Sequence, residues 1–424
     1  LKIASYLKTR AVNGPWRIEG CLEGGFDGAV VIPALSESTT LPATLSSLAV
    51  NPPETLQRFL VLVVVNHRPD APLSDQQDNR ATLTLLAAGD PRWNGLNLSW
   101  IDAASPGSEL PLKGGGVGLA RRIGLDLALT RLDITAADPL LICLDGDTVV
   151  RPDYLPAITA HFQSCCAGAA AIPYQHQRGS TPQAERLIAR YELFLRGYIL
   201  GLELAGSPYA FHSVGSAMAC RASAYCAIGG MNNRQAGEDF YFMQQLFRTV
   251  GVEQLTGTIV QPSPRPSHRV PFGTGRSVQR MGADGEQEQL FYHPACFRIL
   301  KEWLALVDHA ADEDGATLYG RSAAISTCLA EYLHRNRFAG VWDKLRRNHP
   351  ARPALIRAFH GWFDGLKTMK LIHHLSAGPF PRCEPDEALA ELFVWRGLEP
   401  VNGIEARLEQ LRKLQNGPDH MTPP

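Results

Sequence analysis

Four short apolar runs, at 29–32, 60–65, 96–101 and 140–144, constrain this chain more than any other feature. Each is too short for an ordinary helix, two are rich in valine, and helix-patterned stretches at 39–49 and 117–132 lie among them. Strands alternating with helices pack as parallel βαβ units with both sheet faces covered. The segment 82–88 shows no clear pattern. In open α/β sheets ligands bind beyond the carboxyl ends of the strands, and polar residues follow the runs, directly after three of them and from Ser36 after the first. That rim is where chemistry is expected.

The chain has 424 residues against about 150 for a typical domain, which leaves room for more than one. A content of 45% hydrophobic and 20% charged residues is that of an ordinary soluble globular protein. Lys and Arg number 41 against 42 Asp and Glu, so no global field draws the chain to nucleic acid, which is excluded as a partner. The nine cysteines are scattered apart from Cys165 and Cys166. They form neither zinc-binding C-x-x-C arms nor a secreted disulfide framework, as expected of reduced thiols in a cytoplasm. No apolar run reaches the ~18 residues of a membrane span, and the first residues lack the apolar core and cleavage site of a signal peptide. A cytoplasmic protein is expected, with any membrane contact peripheral.

Residues 182–204 read as a helix: Thr181 can cap it, Pro182 suits its first turn, and Leu187, Tyr191, Leu195, Tyr198 and Leu202 recur at helical spacing. Three prolines at 261–266 break regular structure. They suggest an α/β domain over 1–266, then a lid loop and α-helical C-terminal region over 267–424. Within that region, 331–370 carries nine Lys and Arg against three acids. This is a solvated helical face by default, with an anionic acceptor or a membrane surface as the functional alternatives. The last residues, 416–424, look frayed.

The sharpest chemical feature is 140–155, Leu-Leu-Ile-Cys-Leu-Asp-Gly-Asp-Thr-Val-Val-Arg-Pro-Asp-Tyr-Leu, where an apolar strand delivers Asp145 and Asp147 separated by one small residue. Strand alternation places both carboxylates on one side. A hard divalent cation, Mn2+ or Mg2+, takes oxygen ligands, and Gly146 lets a phosphate approach the backbone between them. The pair therefore suits a metal-bound diphosphate. A second feature is the glycine-rich run 113–118 leading into a helix, whose free N–H groups and positive dipole end suit an anion. Lys113, Gly116 and Arg121 are its candidate diphosphate contacts. Glu238 and Asp239, taken alone, are acids favoured at a helix N-terminus.

Taken in order from about 29 to 268, these segments resemble a family 2 type glycosyltransferase of the GT-A fold. Val-Val-Ile-Pro-Ala-Leu-Ser-Glu at 30–37 resembles the family's opening strand and P-x-x-x-E turn, which implies nucleotide contacts at Pro33 and Glu37. Val-Val-Val-Asn at 63–66 lies where the family has a strand ending in a base-contacting acid. Asn66 stands there instead, an amide with donor and acceptor for a base edge. The run 116–125 resembles G-x-x-x-A-R-N-x-G-L with Arg122 in place of Asn, and 152–155 is the family's P-D-Y-L. Residues 215–230 followed by Glu238 and Asp239 resemble the acceptor half, which ends in an E-D motif.

The resemblance implies an α/β GT-A fold with a Rossmann-like mixed sheet, a nucleoside diphosphate sugar donor bound with Mn2+ or Mg2+, and an acceptor hydroxyl on a glycan, lipid-linked or small molecule. It implies inversion, with Asp239 beside Glu238 as the base that takes the acceptor's proton while that oxygen attacks the anomeric carbon. It also implies a late metal ligand at His268, since an imidazole can complete a shell begun by Asp145 and Asp147. Around it, Arg269, Arg276 and Arg280 with glycine hinges have the composition of a lid over diphosphate. No Trp follows Arg280, unlike the Q-x-x-R-W motif of processive membrane synthases, so processive synthesis is disfavoured.

Three alternatives stand beside this reading. A retaining GT-A enzyme of the glucosyl- or mannosylglycerate type also combines D-x-D with a late histidine. A haloacid-dehalogenase-like phosphatase would use Asp145 as nucleophile and Asp147 as acid/base, but that fold begins with this strand, and here three strand-helix units precede it. A degenerate site, allowed by Asn66 and Arg122, would bind a sugar nucleotide without turnover.

Overall fold

The computed structural model describes residues 3–21, 23–135, 137–265, 290–399 and 401–417. Chain contacts divide it into two compact units, one of Leu1–Ile188, Ser213–Ala283 and Lys413–Pro424, the other of Ala189–His212 and Asp284–Arg412.

The first unit is built on a sheet of eight strands: β1 (Ile18–Gly20), β2 (Gly28–Ala34), β3 (Phe59–Asn66), β4 (Asn97–Ala103), β5 (Leu140–Cys143), β7 (Ala169–Ala171), β8 (Met218–Arg221) and β9 (Val252–Gln254), in the order β1-β4-β3-β2-β5-β8-β7-β9. A separate pair joins β6 (Val149–Val150) to β10 (Val260–Gln261). Strands β4, β3, β2 and β5 run parallel, Val30 lying opposite Val61 on one side and Ile142 on the other. Every residue of β2 and β3 is buried, which is why both read as unbroken apolar runs.

The expected parallel βαβ order holds only for that centre. β8 runs antiparallel to β5, and β7 antiparallel to β8, so the sheet is mixed. The cause lies in short strands such as Ala169–Ala171, which carry no period of their own and are strands only because β8 and β9 flank them.

Two helices set the site. The helix Val117–Ala128 packs on β2 and β3 at Gly124, where a Cβ would come within 2.3 Å of Val31 Cγ1 and 2.8 Å of Val64 Cγ2. Arg121, three residues earlier, shares that sheet-facing side. The segment 82–88 belongs to a helix, Leu73–Ala88, whose buried side is mostly polar: Asp75, Asn79 and Thr82 beside Leu86. Asp75 and Asn79 bond the loop after β2 and Thr82 Oγ1 donates back to Asp78 O of its own helix (3.0 Å) instead of filling a core, so no apolar period marks the helix. Ser36 N donates to Asn79 Oδ1 (2.9 Å), Ser36 Oγ to Asp75 Oδ1 (2.9 Å) and Ser38 N to Asp78 Oδ1 (3.0 Å). The anchoring holds Ser36 at φ 57°, a left-handed conformation unusual outside glycine.

The helix Pro182–Leu204 has the bounds its spacing predicts. The described residues from 290 to 417, which belong to the second unit as far as Arg412, form helices from Pro294–His309 to Ile404–Asn416, in keeping with the helical patterning. Trp303, Trp342, Phe338, Phe359 and Phe363 are fully buried in the second unit. Asn416 is not frayed: it is buried, and its Nδ2 donates to Tyr174 O at 3.2 Å. No helix among the described residues is long and apolar enough to cross a membrane.

Candidate functional site

The strand order turns back between β2 and β5, since β3 and β4 lie to one side of β2 and β5 to the other. In open α/β sheets such a switch point is where ligands bind, between the loops that follow the two strands. These loops approach closely: a Cβ on Gly146 would lie 3.1 Å from Glu37 Cγ and 3.5 Å from Pro33 O. Glycine between the two aspartates spares the Glu37 side chain a tight contact where the loops meet, and Thr44 Oγ1 ties the Gly146 carbonyl down at 3.1 Å.

Asp145 and Asp147 stand in a turn, not on the strand. β5 ends at Cys143, and Thr148 N donates to Asp145 O at 3.1 Å. Strand alternation therefore does not govern them, and each meets a different arginine. Arg121 Nη2 donates to Asp145 Oδ1 at 2.5 Å, and its Nη1 pairs with Glu238 Oε1. Arg265 Nε donates to Asp147 Oδ2 at 3.1 Å, and its Nη2 pairs with Glu37 Oε2, which also accepts from Thr40 Oγ1. The β6-β10 pair delivers Arg265 to the turn, and Gln177 Nε2 staples the two chains through Asp147 O (2.9 Å) and Gln261 O (2.7 Å).

Arg121 is 3% exposed and Glu238 6%, so this ion pair is isolated from solvent screening while Asp145, at 33%, reaches the rim. Burial works against the guanidinium's charge, but the carboxylates of Asp145 and Glu238 more than offset it and hold its pKa above the ordinary arginine value. Gly215 covers the guanidinium: a Cβ there would lie 2.3 Å from Arg121 Nη2. Because carboxylates hold both Nη atoms, Arg121 cannot swing aside. Gly215→Ala should therefore cost about 1–3 kcal/mol by overpacking and displace Asp145, which paired thermal denaturation and activity assays check.

The helix Glu238–Val250 starts after Gly237, at φ 67°. Asp239, on its first turn, is partly buried and accepts from Phe240 N at 2.7 Å. Burial and the neighbouring Glu238 carboxylate push its pKa up to about 7, against the pull of Arg121. A carboxyl poised near neutrality suits proton transfer in either direction.

Other expected contacts stand differently. Asn66 is buried, and its Nδ2 donates to Ala34 O (3.1 Å) and Val64 O (3.0 Å). The amide hydrogens thus hold two strand ends and are not presented to a base. Gly116 caps Val117–Ala128 with no side-chain hydrogen bond, but a Cβ on it would sit 3.0 Å from Gln235 Cα, and one on Gly118 2.5 Å from Arg234 O. These glycines admit the 232–235 loop against the helix start. Lys113 is exposed in the turn before it. His268, Arg269, Arg276 and Arg280 lie outside the described residues.

Arg265 went unnoticed in the sequence, where a lone arginine between prolines carries no motif.

Five carboxylates, of Glu37, Asp145, Asp147, Glu238 and Asp239, face two guanidinium groups here. That donor set, acidic on balance and made of hard oxygens, is of the chemical type that Mg2+ or Mn2+ takes. Among the described residues, the clusters of three or more close-set His, Cys, Asp and Glu donors do not include Asp145 and Asp147.

No family model and no curated protein sequence matches the chain. Among solved structures, residues 1–349 of S. aureus TarS in complex with UDP-GlcNAc match with a TM-score of 0.37 at 14% identity, over 91% of this chain and 90% of that one. The same portion in complex with UDP gives 0.34 at 13%, over 91% and 89%. S. aureus TarS of greater length gives 0.35 at 14%, over 74% of this chain and 53% of that one.

Proposed function

We propose that the first unit is a metal-dependent glycosyltransferase that moves a sugar, of the hexose class, from a nucleoside diphosphate to an acceptor hydroxyl with inversion. The observation that carries the reading is the buried network at the switch point of the sheet. Arg121 joins the rim carboxylate Asp145 to Glu238, and next to Glu238 stands a carboxyl that titrates near neutrality. Donor-side and acceptor-side motifs, far apart in the chain, share one guanidinium.

In this reading the Asp239 carboxylate takes the acceptor's proton as the acceptor oxygen bonds to the anomeric carbon, while the bond from that carbon to the diphosphate oxygen breaks and the nucleoside diphosphate leaves. Asp145 and Asp147 would hold the divalent ion, which when bound neutralises charge on the departing diphosphate. Arg121 fixes Asp145 and Glu238 so that the carboxylates do not have to reorganise during reaction. Arg265, paired with Asp147 and Glu37, is placed to exchange those carboxylates for diphosphate oxygens. Peripheral contact with an anionic surface through 331–370 belongs to the same proposal.

Thermal denaturation with UDP, GDP, CMP and dTDP sugars tests it, because a ligand that binds the native state raises the midpoint. One donor is expected to raise it only with Mn2+ or Mg2+ present. In Asp147→Asn the metal-dependent rise and the turnover should both vanish, with the ligand-free midpoint nearly unchanged. If no sugar nucleotide raises the wild-type midpoint under any metal condition, the reading fails. NMR assignment of a retained product anomer would remove Asp239 as the base.

A further inference from the structure

Away from that rim, three donors of different chemistry converge in the helical unit. Cys328 and Glu331 lie three residues apart on the helix Thr327–Arg335 and so share a face. His374 comes from the helix Gly365–Ser376 packed against it, with Tyr332 Oη donating to Lys367 O at 2.8 Å between the two. One donor atom from each of Cys328, Glu331 and His374 lies within 4.8 Å of the others.

Two features distinguish the cluster from chance proximity. His374 Nε2 is buried and has no hydrogen-bond partner among the described residues, although buried ring nitrogens are ordinarily paired. The nearest carboxylate oxygen, Glu331 Oε2, is 3.9 Å away, too far for a hydrogen bond and close to the spacing of two ligands on one ion. Space is also kept beside the sulfur. A Cβ on Gly378 would be 3.6 Å from Cys328 Sγ, so that flank carries no side chain.

We propose that Cys328, Glu331 and His374 bind a zinc ion that clips the two helices together. Zinc takes thiolate, imidazole and carboxylate at about 2.0–2.3 Å in a tetrahedron, which sets ligand atoms roughly 3.3–3.8 Å apart. Closing from the observed spacing needs a rotation of Glu331, which is 63% exposed and free to turn. Solvent at that open side supplies the fourth ligand. A soft thiolate beside an imidazole selects zinc over magnesium or calcium. On binding, the thiol gives up its proton to solvent and the neutral imidazole keeps its own, so the ion takes lone pairs from the thiolate sulfur and from His374 Nε2.

Cobalt(II) titration of the metal-free full chain tests this, because thiolate-to-cobalt charge transfer absorbs in the near ultraviolet and all-oxygen sites such as Asp145 and Asp147 give none. One equivalent of cobalt should develop the band in wild type and in Cys165→Ser. The band should be lost in Cys328→Ser, and zinc should displace the cobalt. Glu331→Gln, an exposed change that spares the fold, should weaken cobalt affinity at least tenfold and abolish the rise in Tm that zinc confers on wild type. A wild type without the band, a band that persists in Cys328→Ser or disappears in Cys165→Ser, or unaltered affinity in Glu331→Gln would each overturn the proposal.

Discussion

Replacing Arg121 with Met is expected to lower the stability of the first unit by roughly 3–5 kcal/mol, the usual effect of removing one partner from a buried ion pair. At about 2–4 °C per kcal/mol for a unit of this size, the midpoint should fall by roughly 6–20 °C. The cause is not the lost attraction alone. Glu238 would be left buried without a counterion, and Asp145 would lose the group that holds it at the rim. Adding Glu238→Gln to Arg121→Met should therefore recover part of the loss, a coupling that a double-mutant cycle isolates. Arg121→Lys should not substitute, because one ammonium cannot span two carboxylates as a planar guanidinium does. An unchanged midpoint in Arg121→Met would show that the network is dispensable to the fold.

Asp239→Asn should reduce turnover by about 10²- to 10⁴-fold, the usual contribution of a general base, with donor affinity preserved. If donor affinity fell and turnover did not, Asp239 would be a binding residue. The wild-type rate should climb as pH rises through about 7, where the carboxyl loses its proton. Stability should move the opposite way. An aspartate titrates near 3.9 in an unfolded chain and near 7 here, so the folded state holds the proton more tightly. The resulting stabilisation is complete below pH 4 and is lost as pH rises through 7. Asparagine has no such proton, so Asp239→Asn should be less sensitive to alkali, and its midpoint should gain on wild type by a few degrees between pH 5 and pH 8. Parallel pH dependences of the two proteins would contradict the raised pKa of this partly buried carboxyl.

Much of the architecture was legible because it is local. A run such as 60–65 is apolar at every position, as only a strand buried on both faces needs to be, and the period of 182–204 marks its helix to the residue. Legibility failed where a polar residue does structural work. The helix Leu73–Ala88 hides its buried side behind Asp75 and Asn79, whose partners are in the loop after β2. At Asn66 the residue type suggested a base-reading amide, yet its two donors close on the backbone of its own sheet.

The amino-acid order by itself determined the central strands and the helical second half, because these follow from periods spanning a few positions; that Asp145 and Asp147 stand in a turn past the end of β5 did not. Only the tertiary structure decided the antiparallel insertion of β8, the pairing of Arg121 with Glu238 across 117 positions, and the pairing of Arg265 with Asp147 across 118. A guanidinium's partner depends on which distant turn the packed sheet brings within 3 Å or so of it, and no local pattern carries that distance.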